Sequence, residues 1–328
     1  MDRLRIQDIP GFCIGQAEDR EAATGCTVLL CPQGAVTGVD VRGGSPGTRD
    51  TDALDPRCNR EAVHAVLLTG GSAFGLDAAG GVMACLEEAG IGRDVGVTVV
   101  PNVCAAVLFD LKIGRGEVRP DAAMGRAACA AALAGGPFRE GNHGAGTGCT
   151  VGKIRGPAFA MKGGIGAAAF QEGALMVGAV VACNAMGDVV KEGRIIAGAR
   201  QDGNDGFLST EDWLIAHSAQ QRDIFSGKPV GENTVIGCVL TNARLNKAQA
   251  NKLAAVAQNG IARAVRPANA TFDGDAVFAM CSGAVSADPD AVGILAARAV
   301  EQAIHRAVEQ AESLHGRPAR GDLPFCKF

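Results

Sequence analysis

The chain has 328 residues, of which 47% are apolar and 20% are charged, and these proportions are typical of a globular protein with a large core. Its net charge of −4 and pI near 5.8 give no basic footprint for nucleic acid or an anionic membrane. No apolar stretch approaches the ~20 residues that span a bilayer, and no signal peptide is evident, so we expect a cytoplasmic protein.

The 12 cysteines are scattered singly along the chain, without a C-x-x-C pair. Most lie among Ala, Val and Leu, where a thiol behaves as a small apolar side chain, so we predict that they are buried and reduced. The five histidines form no set with the spacing of metal ligands. The sequence therefore predicts neither a metal nor a cofactor.

The first half of the chain alternates strand and helix patterns. Residues 63–68 form an apolar run, and Gly70-Gly71 then precede a helical pattern over residues 73–88, as in an α/β unit. The glycines lack the lysine of a phosphate-binding loop and the spacing of a dinucleotide site. We predict a further strand at 95–100 and an Ala-rich helix at 121–133.

Two apolar runs, around Ala167 and over 174–183, flank Gln171-Glu172-Gly173 and predict a hairpin at the centre of a sheet. Residues 191–232 are more polar and predict a surface excursion, in which Ser209 or Thr210 could begin a short helix.

The last third predicts two strands and two helices. The strands cover 234–241 and 275–280; Asn246 begins one helix, and Asp288-Pro289 begin the other. Alternating strands and helices with a central hairpin favour two sheets between helix layers.

Asn233-Thr234 stands where polar residues give way to an apolar strand. If the chain were cut before Thr234, that residue would carry a hydroxyl and a free α-amine. The amine titrates near ~7.7–8.0 and could serve as the base for its own hydroxyl. Taken alone, the pair favours an ordinary β-branched strand start.

Four blocks of sequence in consistent order resemble the DmpA-like family of self-processing aminopeptidases and amidases (peptidase family S58). The nearest branch is that of the nylon-oligomer hydrolases with a threonine nucleophile. The serine branch has a tyrosine near the oxyanion, and this chain has no tyrosine. The first two matching blocks are residues 68–79 and residues 100–111. The third combines residues 144–148 with 161–166, and the fourth combines Asn233-Thr234 with Asp273-Gly274-Asp275.

The resemblance implies a four-layer α/β/β/α sandwich similar to N-terminal-nucleophile hydrolases. It also implies a single domain over 1–328 that cleaves itself into residues 1–233 and 234–328. The two pieces would form an alpha-beta heterodimer, commonly within a homotetramer. The implied substrate is a small peptide or amide, and no cofactor is implied.

The resemblance also implies roles for individual residues. Thr234 would be the nucleophile and would supply the α-amine base, Asn184 would stabilise the oxyanion, and Lys162 would lie beside the nucleophile. Asp273 and Asp275 would hold the amine and orient the substrate. From the residues alone, Asn184 could equally end a strand, Lys162 could be a solvated strand-edge lysine, and the two aspartates could form an Asx turn.

Three other functions remain as alternatives. His143 and Ser72 suggest a conventional triad, although no G-x-S-x-G elbow is present. An acyltransferase similar to the self-processing ornithine acetyltransferases would also use a mid-chain threonine, but its other blocks are missing. The third alternative is a non-catalytic structural or assembly protein.

Overall fold

The computed structural model of the protein describes residues 2–219 and 233–326. These ranges contain five α-helices and seventeen strands, several of which are only two residues long. The helices are α1 Ala78–Glu88, α2 Ala122–Leu133, α3 Thr210–Ala216, α4 Lys247–Ala264 and α5 Pro289–Glu309. The strands are β1 Asp2–Leu4, β2 Cys13–Asp19, β3 Thr24–Val41, β4 Thr48–Arg49, β5 Val63–Thr69, β6 Arg93–Asp94, β7 Val99–Val100, β8 Val103–Val107, β9 Thr150–Val151, β10 Met161–Lys162, β11 Gly164–Glu172, β12 Leu175–Asn184, β13 Asp188–Lys191, β14 Arg194–Ala197, β15 Thr234–Ala243, β16 Val265–Arg266 and β17 Ala276–Val285.

The long strand β3 belongs to two sheets. Its first half pairs with β2 and β5, and its second half pairs with β17. The register shifts between Leu30 and Ala35, where Pro32 cannot donate a ladder hydrogen bond. One sheet therefore has the order β1-β11-β12-β15-β17-β3, and the other has the order β2-β3-β5-β8-β4.

The two sheets pack face to face through one apolar cluster. Strand β15 shows how a strand contributes: Ile236, Cys238 and Leu240 point into this middle layer, whereas Val235 and Val239 point outward. Alternate residues of a strand face opposite sides, so an uninterrupted apolar run suits a strand that is buried on both faces.

The helices cover the outer faces. Helices α4 and α5 pack on the β15 sheet through residues such as Leu253 and Val300. Helices α1 and α2 pack on the other sheet through residues such as Val82 and Ala128. The predicted four-layer α/β/β/α sandwich is confirmed.

The segment after Asn233 lies at the centre of the fold. Strand β15 pairs with β12 on one side and with β17 on the other, and β17 then pairs with β3. The two long strands of residues 234–326 are thus enclosed by strands that precede Asn233. Residues 220–232, part of the predicted surface excursion, lie outside the described residues.

Predicted helix starts agree with the structure. Asp121 and Ser209 each accept a cap hydrogen bond from a backbone N–H three residues on. Asn246 and Gln249 form a capping box, and Asp288 caps α5. Of the strand predicted at 95–100, only Val99–Val100 forms a strand, β7, because Val95 N–H bonds the carbonyl of Thr98 in the turn between β6 and β7. The buried strand here is β8, which follows Pro101.

All twelve cysteines are free, and ten of them are buried as predicted. Cys58 is exposed, and Cys13 is only partly buried. Within residues 2–219 and 233–326, no group of three or more His, Cys, Asp or Glu side chains could hold a metal ion. No helix in the same ranges combines the length and apolar character needed to cross a membrane.

Candidate active site

The candidate site lies where three strands of one sheet meet. Asn184 ends β12 and is the cross-strand partner of Thr234, the first residue of β15. On the other side, Asn233 forms a parallel bridge with Asp273, just before β17 begins. The pairing therefore brings Asn184, the Asn233–Thr234 peptide bond and the Asp-Gly-Asp segment together.

Thr234 lies against the carbonyl group of the residue before it. Its hydroxyl Oγ1 donates a hydrogen bond of 2.5 Å to the carbonyl oxygen of Asn233. The backbone N–H of Gly274 donates to the same oxygen at 2.9 Å. Asn233 and Thr234 are 1% and 5% exposed, so this peptide bond is almost wholly shielded from water.

Asp275 is tied to the strand that begins with Thr234. Its Oδ1 accepts the N–H of Val235 at 2.7 Å, and its Oδ2 accepts the N–H of Asn269 at 3.0 Å. Burial and, after it, the neighbouring carboxyl of Asp273 raise the pKa of Asp275 to about 7. This side chain can therefore change its protonation state near neutral pH.

Asp273 both stabilises the local backbone and interacts with a nearby charge. Its Oδ2 accepts the N–H of Ala270 at 2.8 Å, as the Asx-turn alternative would have it. Burial raises its pKa, while the ammonium of Lys153 acts in the opposite direction. The carboxyl thus closes a turn and also interacts electrostatically with Lys153.

Asn184 is buried, and hydrogen bonds fix its side chain. Its Nδ2 donates to the carbonyl of Phe109 at 2.8 Å, and its Oδ1 accepts the N–H of Thr150 at 2.9 Å. The ammonium of Lys153 donates to the Oδ1 at 2.9 Å and to the backbone carbonyl of Asn184 at 2.6 Å. A buried amide needs such partners, because an unpaired one is costly.

The structure contradicts the alternative of a solvated strand-edge lysine. Lys162 is fully buried, not solvated, and its Nζ donates to three carbonyls, those of Gly146, Cys149 and Gly163, at 2.9–3.3 Å. The lysine that binds the cross-strand partner of Thr234 is Lys153. Lys153 also interacts electrostatically with Asp273 and Asp275.

Lys162 reaches Asn184 through a peptide group. The carbonyl of Cys149 accepts Lys162 Nζ, and the next N–H, that of Thr150, donates to Asn184 Oδ1. On the other side, Asp110 accepts the N–H of Gly71 and the hydroxyl of Thr24, each at 2.7 Å. Asp110 follows Phe109, whose carbonyl holds the Asn184 amide.

His143 and Ser72 have separate hydrogen-bond partners in the structure. His143 Nδ1 lies 2.8 Å from Glu18, which also accepts the N–H of Gly144. Ser72 donates its backbone N–H to Leu108 and begins a short 3-10 helix. These contacts give both residues structural positions.

Lys153 and the N–H of Gly274 were not predicted as site groups. Lys153 follows Gly152 in a polar, turn-like stretch, which is typical of a solvated lysine. The N–H of Gly274 has no side-chain signal at all. Only the pairing of three distant strands places these groups around Thr234.

Taken together, the geometry offers a hydroxyl, a polarised carbonyl, an ammonium and two carboxyls of raised pKa in a site shielded from water. Such a set suits nucleophilic attack on an amide carbonyl.

The comparisons with known proteins agree with this chemistry. The model of peptidase family S58 matches residues 5–321. An uncharacterized aminopeptidase of Mycobacterium leprae is 41% identical over 95% of this chain and 92% of its own length. A 6-aminohexanoate-oligomer endohydrolase of Paenarthrobacter ureafaciens is 32% identical over 83% of this chain and 73% of its own length.

Two solved structures share the fold at 20% sequence identity. A Burkholderia beta-aminopeptidase superposes with a TM-score of 0.69 over 98% of this chain and 91% of its own. The L-aminopeptidase D-Ala-esterase/amidase of Ochrobactrum anthropi, described as a variant of the Ntn-hydrolase fold, gives 0.65 over 96% and 88%. The resemblance found in the sequence is confirmed.

Proposed function

Because the chain belongs to peptidase family S58 and is therefore a hydrolase of peptide or amide bonds, we propose that it processes itself and uses Thr234 as its nucleophile. Cleavage falls between Asn233 and Thr234 and divides the chain into residues 1–233 and 234–328. The new N-terminal threonine then attacks amide substrates.

The observation that carries this proposal is the contact between the Thr234 hydroxyl and the carbonyl of Asn233. The hydroxyl oxygen attacks the carbonyl carbon, the carbon–nitrogen bond breaks, and the hydroxyl proton ends on the nitrogen of Thr234. Water then hydrolyses the resulting ester and releases the carboxyl group of Asn233. The new amine is left beside the hydroxyl that it serves as base.

The neighbouring charges would change the pKa of the Thr234 amine. The ammonium of Lys153 disfavours a second positive charge nearby and so lowers the pKa of the amine. Asp273 and Asp275 accept hydrogen bonds from it and oppose this effect. Lys162 acts more remotely, by fixing the Cys149–Thr150 peptide that holds Asn184.

Asn184 stabilises the oxyanion of the substrate during turnover. It faces Thr234 across the β12–β15 pair, and hydrogen bonds fix its orientation. Its NH₂ has two hydrogens, and the carbonyl of Phe109 takes one of them. Removing an oxyanion donor typically lowers kcat by about 10²–10³-fold.

The substrates we propose are small peptides and amides. Relatives are named as aminopeptidases and as 6-aminohexanoate-oligomer endohydrolases, so both kinds of compound are candidates. A panel of aminoacyl p-nitroanilides and 6-aminohexanoate oligomers separates the two classes. We expect the mature protein to hydrolyse at least one member and Thr234→Ala to hydrolyse none.

Mass analysis under denaturing conditions tests the self-cleavage. Dividing 33.3 kDa in proportion to 233 and 95 residues gives pieces of about 24 and 10 kDa. The small piece should begin Thr-Val-Ile-Gly. Thr234→Ala should remain whole, while Thr234→Ser keeps a hydroxyl and should cleave. A chain that stays whole while fully active would refute the proposal.

A further inference from the structure

The carbonyl oxygen of Asn233 accepts hydrogen bonds from two donors. Besides the Thr234 hydroxyl, the N–H of Gly274 donates to it at 2.9 Å. When the hydroxyl attacks, this oxygen becomes negatively charged. A donor that is already in place then stabilises the charge without reorganisation.

The backbone on both sides of Gly274 is held firmly. The carbonyl of Asp273 accepts the N–H of Ser45 at 2.9 Å, and Asp273 Oδ2 closes a turn onto Ala270. The carbonyl of Asp275 accepts the N–H groups of Arg42 and Gly43. These bonds fix the direction of the Gly274 N–H before any reaction takes place.

The absence of a side chain at residue 274 allows this approach. A Cβ added at Gly274 would lie 2.7 Å from the carbonyl oxygen of Ser45 and 3.0 Å from Thr234 Oγ1. Contacts this short force the backbone or the nucleophile to move. Only glycine allows the amide and the hydroxyl to reach the same carbonyl oxygen together.

We propose that the N–H of Gly274 is the oxyanion donor of the self-cleavage step. The Thr234 oxygen bonds to the carbonyl carbon of Asn233, and the electron pair of the carbonyl moves to its oxygen, where the Gly274 N–H binds it. Collapse breaks the carbon–nitrogen bond, and the proton of the hydroxyl ends on the Thr234 nitrogen.

Self-cleavage and turnover would then differ in their oxyanion donors. In the uncleaved chain, the N–H of Gly274 already donates to the carbonyl under attack, whereas the Asn184 amide donates one hydrogen to the carbonyl of Phe109 and keeps the other for the substrate of the mature protein. This inference rests on the proposed nucleophilic role of Thr234.

The test replaces the amide of Gly274 by an ester, using glycolate incorporated into the full chain by nonsense suppression in vitro. The ester keeps the shape of glycine and removes the N–H, and it also weakens the Asp273 carbonyl as an acceptor for Ser45, an effect that the glycolate control shares at its own preceding carbonyl. The matched control carries glycolate at Gly193, a glycine with open space around it in the turn between β13 and β14. Samples quenched in denaturant over time give the rate at which the two pieces form.

We expect glycolate at 274 to slow self-cleavage by about 10²–10³-fold and glycolate at 193 to leave its rate unchanged. Cleavage at the parent rate with glycolate at 274 would overturn the inference while leaving Thr234 as nucleophile. A parent chain that does not cleave, or a Thr234→Ala chain that does, would instead contradict the proposed function.

If the ester chain does not fold, a second variant tests whether the Gly274 N–H assists self-cleavage. Gly274→Ala keeps the N–H, but its contacts with the Ser45 carbonyl and Thr234 Oγ1 force the backbone or the nucleophile to move. Gly80→Ala, which meets open space on α1, is its control. Slower cleavage in Gly274→Ala alone supports the inference, and an unchanged rate in a chain that melts like the parent overturns it.

Discussion

Lys153 and Lys162 have the same side chain but different roles in the fold. Burial lowers the pKa of each to about 8. Lys162 donates to three backbone carbonyls and so stabilises the surrounding loops. Lys153 binds Asn184 and interacts with the two aspartates, so its charge acts on the site itself.

Replacing Lys153 should change the pH dependence of turnover. A positive charge near the amine of Thr234 lowers the pKa of that amine, so Lys153→Met should raise it and move the rising limb of the pH–rate profile upward by about 1 pH unit. Because the pKa of Lys153 is about 8, Lys153 is mostly charged over the part of this limb that lies below pH 8. The mutation also removes two hydrogen bonds to Asn184, so kcat should fall.

Lys247→Met is the control for this experiment, since Lys247 is also buried and donates to the carbonyls of Ala53 and Cys58. Its rising limb should match that of the parent. An unmoved limb in Lys153→Met, or an equal shift in both variants, would exclude Lys153 from the environment of the amine.

At the scale of elements, two adjacent glycines of α1 allow a matched pair of substitutions that tests helix packing. A Cβ at Gly81 would overlap the carbonyl oxygen of Ala122 at the start of α2, whereas one at Gly80 meets nothing. Gly81→Ala should therefore destabilise the protein by about 1–3 kcal/mol. Gly80→Ala should stabilise it by up to ~1 kcal/mol, because alanine favours helix.

Chemical denaturation of the two variants beside the parent measures both effects. Equal effects of the two substitutions would show that the close packing of α1 against α2 does not contribute to stability.

Elements with local signals could be predicted from the sequence. The starts of α2, α4 and α5 depend on cap residues that lie within three positions of the helix, and these were predicted correctly. Strand β3 was not predicted, because Pro32 and Gly34 interrupt its pattern and its extended form depends on pairing with β2, β5 and β17. The position of Lys153 likewise depends on tertiary contacts, which no local pattern encodes.

For the whole molecule, the fold predicts that the two pieces stay together after cleavage. Strands β15 and β17 are enclosed by β12 and β3 of the larger piece, so their ladders and apolar faces depend on it. The small piece has two long strands and two helices, too little for a stable core of its own.

Size exclusion under native conditions should give one peak that contains both pieces, which separate only in denaturant. Elution of the small piece by itself would contradict the shared core. A molar mass measurement on the same peak tests the prediction of a homotetramer, which rests on the family resemblance.

We propose Thr234 as the nucleophile both of self-cleavage and of substrate hydrolysis. The most direct measurement is the mass of the small piece after the mature protein is mixed with a p-nitroanilide that it hydrolyses and is quenched in acid. We predict that the piece gains the mass of the acyl group and that peptide mapping assigns it to the hydroxyl of Thr234. An acyl group on another side chain, or full activity in an uncleaved chain, would contradict this account.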